Sequence, residues 1–446
     1  ESLARVIDCG LRCRCMLCDR PVMRFQTLDE WLSWQESLNP KEIDLGLERV
    51  SQVLHRLGRG THFRCPLISV AGTNGKGSVV AYLEAIALAG GGRVCCYTSP
   101  HLLHYNERIR INGKAIDDQS LCTAFERVDQ ARGDFALTYF EFGTLAAIEL
   151  FSTAQPDLVI MEIGLGGRLD AVNVLDPDVA VITTIAIDHT DWLGSNREAI
   201  GQEKAGVMRA HRPAVCGDPN PPQSLLETAA NLQVDLKRIG RDFRVERQNG
   251  NWSVAAVDQT TDELPLPALA GDFQLNNAAT AIMAIKSLQQ DRLGDDEIKQ
   301  GLRHVCLPGR FQIIRQKPLV IVDVAHNPQA AAALASQLKS QACSGKTHAV
   351  IAMLADKAVA DVIALLLGEV DYWYTAGLES EARGLPAREM AAVVEQLAAD
   401  VKLSAASTIA DACTRAFTSV NEDDRIIIFG SFHTVAEAMR FFTRQQ

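Results

Sequence analysis

Between residues 67 and 88 the chain carries the parts of a phosphate-binding device. Leu67-Ile68-Ser69-Val70-Ala71 reads as a buried strand, Gly72-Thr73-Asn74-Gly75-Lys76-Gly77-Ser78 as a glycine-rich loop, and Val79–Leu88 as the helix that follows. Glycines let backbone N–H groups face a phosphate, and a helix N-terminus adds the positive end of its dipole. Lys76 would neutralise β- and γ-phosphate charge, and the Ser78 hydroxyl can ligate magnesium. The common pattern G-x-x-x-x-G-K-[ST] is not met, because Val70 stands where its first glycine belongs and Gly77 follows Lys76. Strand, lysine, serine and helix nevertheless stand in working order, and phosphate binding at Asn74, Gly75, Lys76 and Gly77 is expected.

Other residues have chemistry of their own. Ser99 and Glu162 stand at the ends of predicted strands, so both can reach the carboxyl edge where doubly wound sheets bind ligands. With Ser78 they supply hard oxygens that suit magnesium, an ion that keeps several waters and bridges phosphates. His189 ends another strand beside Asp188 and Asp191; a lone loop histidine is more often a hydrogen-bonded surface residue. Read alone, Lys204 is a solvated helix lysine, Asn277 a helix N-cap and Arg310 a linker charge. Asp323, at a strand end before His326-Asn327-Pro328, is an acid able to hold ribose hydroxyls. Cys9, Cys13, Cys15 and Cys18 could form a thiolate zinc site, but their spacing does not make two paired knuckles and no Cys or His group follows close behind.

These residues need a scaffold, and the chain has the pattern of one. Apolar runs at Leu67–Ala71, Arg93–Tyr97, Asp157–Glu162 and Asp178–Ile187 read as buried parallel strands. Helical runs at Ser78–Leu88, Gln119–Ala131 and Phe142–Thr153 alternate with them. The alternation predicts an α/β fold: a doubly wound N-terminal domain that contains the phosphate loop, over residues 23–305. An irregular polar stretch, Gln248–Pro267, precedes a helix opening near Asn277. Leu307-Pro308-Gly309-Arg310 has linker chemistry, placing a linker at 306–313. A second series follows over 314–446, with strands Leu319–Val324, Thr347–Met353, Tyr372–Thr375 and Arg425–Phe429 and helices Pro328–Gln341 and Val435–Thr443. That is a smaller, Rossmann-like α/β domain, and two such domains commonly hold a ligand between them.

Composition narrows the class. The 446 residues include 44 Lys+Arg against 55 Asp+Glu, a net charge of −11, which gives no general attraction to nucleic acid or anionic membranes. A hydrophobic fraction of 47% with 22% charged residues is that of a globular chain, not a disordered one. Glu141 and Glu149 interrupt the best apolar run, so no membrane span is expected. The scattered cysteines in apolar stretches and the absence of a signal-like start point to a reducing cytoplasm. Residue 1 is Glu, Met23 looks like a more natural start, and residues 1–22 are expected to be an extension outside the fold.

The loop variant G-T-N-G-K-G-[ST] resembles that of the Mur ligase superfamily, ATP-dependent ligases that join amino acids to carboxylates. Further motifs are similar to the folylpolyglutamate synthase family: Ile43-Asp44-Leu45-Gly46-Leu47-Glu48-Arg49, Ser99-Pro100-His101-Leu102, Glu107-Arg108-Ile109-Arg110, Glu162 through Asp170, Asp188 through Gly194, Glu203-Lys204-Ala205-Gly206, Leu307 through Phe311 and Asp323 through Pro328. They occur in the family's order from about residue 25 to the end.

The resemblance implies roles. Ser78, Ser99 and Glu162 would ligate magnesium, and His189 would serve a second magnesium. Lys204 matches a lysine that is carbamylated in the family, and Asn277, Arg310 and Asp323 match nucleotide contacts, so that ATP lies between the domains. Asp44, Leu45, Gly46 and Leu47, with Thr138, Tyr139, Phe140 and Glu141, look like the dihydropteroate-binding elements of bifunctional bacterial members. Leu169, Asp170 and Ala171 should line the same pocket. Phe140 has the shape to stack on a flat pterin, with Thr138 or Glu141 holding its polar edge, whereas Phe142 reads as core. The implied activity is an ATP-dependent amide ligase adding L-glutamate to dihydropteroate and to the glutamate tail of reduced folates through an acyl phosphate. Lys76, Lys204 and His189 are its implied catalytic residues, and a monomer is expected. The alternatives are a folylpolyglutamate synthase alone, a ligase for another acid, or a P-loop nucleotide switch.

Overall fold

A computed structural model describes residues 23–444 except 249, 258–259, 289–292, 379–380, 382 and 399; the Cys-rich extension lies outside these. The first helix, Leu28–Leu38, begins at a capping box in which Thr27 and Glu30 satisfy each other's backbone N–H groups. Its Trp31 is fully buried against Phe125 and Phe142, with ring centroids 5.9 and 6.3 Å away.

The N-terminal sheet is built from β1 (Leu67–Ala71), β2 (Val94–Tyr97), β3 (Ile109–Ile111), β4 (Lys114–Ala115), β5 (Leu158–Glu162), β6 (Val179–Ile182), β7 (Pro213–Cys216) and β8 (Asp235–Arg238). Their order is β4-β3-β2-β5-β1-β6-β7-β8, parallel from β2 to β8, with β3 and β4 antiparallel at one edge. β1, β2, β5 and β6 are buried at every position, which is why they read as unbroken apolar runs rather than alternating ones. One face packs on helices Asp118–Arg132 and Tyr139–Ala154, the other on helices Lys76–Ala89 and Asp272–Ser287.

Several expected boundaries move. The expected strand Asp178–Ile187 stops at Ile182; the backbone beyond it turns along the phosphate loop, where Thr73 N–H donates to Thr184 O at 2.7 Å. The helix expected from Phe142 starts at Tyr139, because Thr138 and Glu141 form a second capping box. The irregular reading of Gln248–Pro267 is overturned: β9 (Phe243–Gln248), β10 (Asn251–Ala256) and β11 (Thr260–Leu264) form an antiparallel sheet. Trp252 and Val254 of β10 face the core, and the polar residues that hid the pattern lie on the other face. Asn277 is no N-cap. The helix opens at Asp272 after Gly271, so Asn277 stands buried in its second turn.

The C-terminal sheet runs β12-β13-β17-β14-β15-β16, from β12 (Gln312–Gln316), β13 (Leu319–Asp323), β14 (Thr347–Ile351), β15 (Tyr372–Ala376), β16 (Lys402–Ala406) and β17 (Arg425–Phe429). All but the edge strand β12 are parallel, the Rossmann-like arrangement expected. Helix Asp295–His304 packs on the helix of the phosphate loop, and the chain crosses to β12 within a few residues. The domains also share packing: Leu102, between β2 and β3, is buried in the core that β13, β14 and β17 form with helix Phe432–Thr443. Among the described residues no helix is long and apolar enough to cross a membrane.

Replacing Trp31 with Ala empties a fully enclosed site where the first helix meets two others. It should cost about 3–5 kcal/mol, read as a lower urea midpoint with an unchanged m-value.

Candidate functional site

The carboxyl edges of the two sheets face each other across a cavity of about 860 Å³. Its wall is made of the segments after β1, β2, β5, β6 and β7 on one side and after β13, β14 and β17 on the other. Asn74, Gly75, Lys76, Gly77, Ser78, Ser99, Glu162, His189, Lys204, Asn277, Arg310 and Asp323 all line it. Residues spread over 250 positions of chain thus meet at one place because parallel strands deliver their ends to one edge.

The phosphate loop is held from two sides. Lys76 Nζ donates to Gly72 O at 3.1 Å and Thr73 O at 3.2 Å, so its ammonium lies folded over its own loop. Burial lowers its pKa, with Glu162 and Asp188 pulling the other way. Gly75 has φ of 89°, and a Cβ there would stand 2.7 Å from Asn277 Oδ1; only glycine fits. Asn277 is fixed by Gln274, whose Oε1 accepts from Asn277 Nδ2 at 3.1 Å and whose Nε2 donates to Ser78 Oγ at 3.2 Å. Gln274 was missed from sequence, although it stands one helical turn from Asn277 and so shares its face.

The acids and bases around the loop are tuned by burial. Glu162 accepts from Ser99 N–H at 3.3 Å, and burial raises its pKa while Lys76 opposes the rise. His189 is pushed down to about 4, first by burial and then by Lys357, so its imidazole is neutral and able to donate a lone pair at neutral pH. Lys204 is pushed down to about 7 by burial and by Lys76, with Asp188 and Asp170 opposing. Its side chain makes no hydrogen bond or ion pair among the described residues. Arg310, read alone as a linker surface charge, is instead half-buried in the cavity wall, its guanidinium 5.2 Å from the Phe432 ring centroid. Asp323 accepts from the N–H groups of Phe311 and Ala325 at 2.7 and 2.8 Å, which ties the interdomain crossing to the end of β13.

Among the described residues no group of three or more His, Cys, Asp and Glu side chains could hold a metal alone. The donors present, two serine hydroxyls, one carboxylate with a single hydrogen bond and one neutral imidazole, fit an ion that phosphate oxygens and water complete.

The expected acceptor residues gather elsewhere. None of Asp44, Leu45, Gly46, Leu47, Thr138, Tyr139, Phe140, Glu141, Leu169, Asp170 or Ala171 lines the cavity. Arg49 draws them together: its guanidinium meets Asp44 at 2.9 Å and Glu141 at 3.0 Å, and Gly46 N–H donates to Leu169 O at 3.2 Å. Thr138 and Glu141 first serve their own helix as N-cap and capping partner. Asp170 accepts from Leu165 and Val172 N–H groups at 2.8 and 3.0 Å, so it shapes the glycine loop; burial raises it to about 7. The partition between the cluster and the cavity is Gly164, where a Cβ would lie 2.5 Å from the Phe140 ring. Phe140 also leans on Tyr97 at 5.9 Å, whereas Phe142 is core as expected.

With this geometry in hand, comparison with known proteins is decisive. Residues 70–285 match the Mur ligase middle domain, and residues 309–432 match the Mur ligase glutamate ligase domain. The dihydrofolate synthase/folylpolyglutamate synthase of Escherichia coli (strain K12) is 42% identical over 426 residues, spanning 95% of this chain and 97% of that protein. The chain belongs to the dihydrofolate synthase/folylpolyglutamate synthase family of Mur ligases. It is an ATP-dependent ligase. The corresponding enzyme of Haemophilus influenzae is 40% identical, over 92% of this chain and 96% of that protein. The structure of E. coli FolC in complex with DHPP and ADP superposes with a TM-score of 0.89, covering 94% of this chain and 98% of that one at 42% identity. A bifunctional folylpolyglutamate synthase/dihydrofolate synthase with Mn, AMPPNP and L-glutamate bound gives 0.86 at 43% identity, again over 94% and 98%.

Lys76 is the cation of the phosphate loop. Lys76→Ala should lower ATP-dependent turnover about a hundredfold or more while the melting temperature holds, as measured by phosphate release and calorimetry.

Proposed function

We propose that the chain adds L-glutamate both to dihydropteroate and to the glutamate tail of reduced folates. The observation that carries this is the pairing of one nucleotide cavity between two domains with a separate acceptor cluster behind Gly164. In the reaction an acceptor carboxylate oxygen attacks the γ-phosphorus of ATP. The new O–P bond forms as the bond to the β-phosphate breaks, and ADP leaves. The glutamate amine then attacks the acyl carbon, phosphate departs and the amine loses a proton. Lys76 and Arg310 supply positive charge where phosphate charge accumulates, and their partial burial makes that charge more effective than it would be in water. Two magnesium ions would be held through Ser78, Ser99, Glu162 and His189, supplying further charge neutralisation and orientation. Asn74, Gly75 and Gly77 bind phosphate, and Asn277 and Asp323 orient the rest of the nucleotide. On the acceptor side, Asp44–Leu47, Thr138–Glu141 and Leu169–Ala171 form the pterin seat, organised by Arg49.

A product assay with ATP, magnesium and glutamate, offering dihydropteroate and a reduced folate separately, should give glutamylated product from both. Extension of the reduced folate alone would leave the monofunctional synthase. With ¹⁸O in the acceptor carboxylate, one labelled oxygen should appear in released phosphate; label-free phosphate would rule out carboxylate activation and restore a nucleotide switch.

Lys204 is carbamylated in this reading. Its amine is buried without a partner among the described residues and, with its pKa pushed down to about 7, is about half neutral near pH 7; a neutral amine attacks CO₂ to form an N–C bond with loss of one proton. The carbamate turns a cation that would repel the metals into an oxygen ligand or acceptor. Lys204→Ala should lose most activity, and acetate should restore part of it. Native mass or a crystal map should show the added CO₂; an unmodified ammonium in an active, magnesium-loaded crystal would overturn the assignment.

A further inference from the structure

One cavity residue has no task in the reactions above. Lys357, on the loop after β14, has a side chain only 7% exposed, and its Nζ donates to Asp188 Oδ1 at 2.7 Å. Asp188 belongs to the other domain, on the segment after β6, and its side chain is 8% exposed. The same Oδ1 accepts the backbone N–H of His189 at 2.8 Å. Oδ2 accepts from Asn327 Nδ2 at 3.1 Å and lies 3.7 Å from His326 Nε2. Three of the four partners of this carboxylate therefore come from the C-terminal domain. Asn327 also exchanges side-chain hydrogen bonds of 3.1 and 3.0 Å with Asn74 of the phosphate loop.

Burying a carboxylate is costly unless its partners are in place. Those partners are in place only when the two sheet edges stand as they do here. A further ion pair that crosses the boundary, Arg383 to Glu42 at 3.2 Å, is exposed on both sides and contributes little by comparison. His189 has φ of 52°, a conformation a non-glycine residue keeps when its surroundings hold it, and the atom that holds its N–H is the one Lys357 neutralises.

We propose that Lys357 is a positioning residue for ligation: paired with Asp188, it makes closure of the two domains the condition for holding the His189 segment in working geometry. Lys357 acts through Asp188 and does not itself bind the nucleotide. The inference rests on the ligase reading, which the wild-type product assay tests separately.

The test is a double-mutant cycle of Lys357→Met, Asp188→Asn and the double variant, with Lys357→Arg beside it. Ligation kcat and KM, ADP affinity by calorimetry and melting temperature are measured for each. Lys357→Met should lower kcat about ten- to a hundredfold, the scale of a small misplacement of reacting groups, with ADP affinity nearly unchanged. Lys357→Arg should recover most of the loss. The double variant should be no slower than the slower single, because residues acting through one contact are not additive. Should Lys357→Met fold poorly, the double variant, which removes the unpaired buried carboxylate, must show the same kcat loss with a near-normal melting temperature. Additive losses, an ADP affinity that falls in step with kcat, or an unaffected Lys357→Met would overturn the proposal. Wild-type protein that ligates neither acceptor would instead refute the ligase reading itself.

Discussion

Lys76 and Arg310 are half-buried cations in the cavity wall, and neither makes an ion pair with a carboxylate among the described residues. What steadies them is a field of acids at some distance: Glu162 and Asp188 around Lys76, Asp323 and Glu162 around Arg310. Such an arrangement leaves positive charge available to a polyanion rather than cancelling it at short range. It also requires that the acids be held by groups other than these two cations: Asp188 by Lys357, Asn327 and the His189 N–H, the others by backbone. Ser99 N–H therefore holds Glu162, and Phe311 and Ala325 N–H groups hold Asp323. The two parallel sheets exist, for function, to bring these backbone donors to one edge.

A second consequence concerns how the cavity is divided. The glycine loop after β5 is thin because Gly164 and Gly167 have no side chains, so the Phe140 ring and helix Arg197–Ala205 approach it from its two sides. Asp170 accepts N–H groups from within the same loop and keeps it in shape. The cluster around Phe140 and the interdomain cavity can then be neighbours without being continuous. Arg49 completes this arrangement by drawing the Asp44 segment and the start of helix Tyr139–Ala154 to one guanidinium.

The parallel-sheet elements, the glycine-rich turn between β1 and its helix and the second sheet-containing domain were legible along the chain, since buried parallel strands are unbroken apolar runs and the turn is contiguous. Strand β17 was read to the residue, and strand β1 likewise. The antiparallel sheet at 243–264 was not, because its outward face is polar and one-sided burial over five or six residues resembles a loop. Asn277 was misjudged as a cap because its helix begins five residues earlier behind a glycine that offers no side-chain signal.

Local chemistry is written in neighbouring residues: a glycine-rich loop between strand and helix, a capping box at Thr27, a run of valine and isoleucine. The sequence by itself therefore determined the types of most elements and the presence of two sheet-containing domains. Burial, charge and partnership were decided only by the tertiary structure. It turned Lys204 and Arg310 from expected surface cations into a buried and a half-buried one, gave Glu141 to Arg49, and joined Lys357 to Asp188 across 169 positions of chain. The reason is physical. A pKa or an ion pair depends on which groups share a low-dielectric volume, and that volume is formed by strand ends that are far apart in sequence.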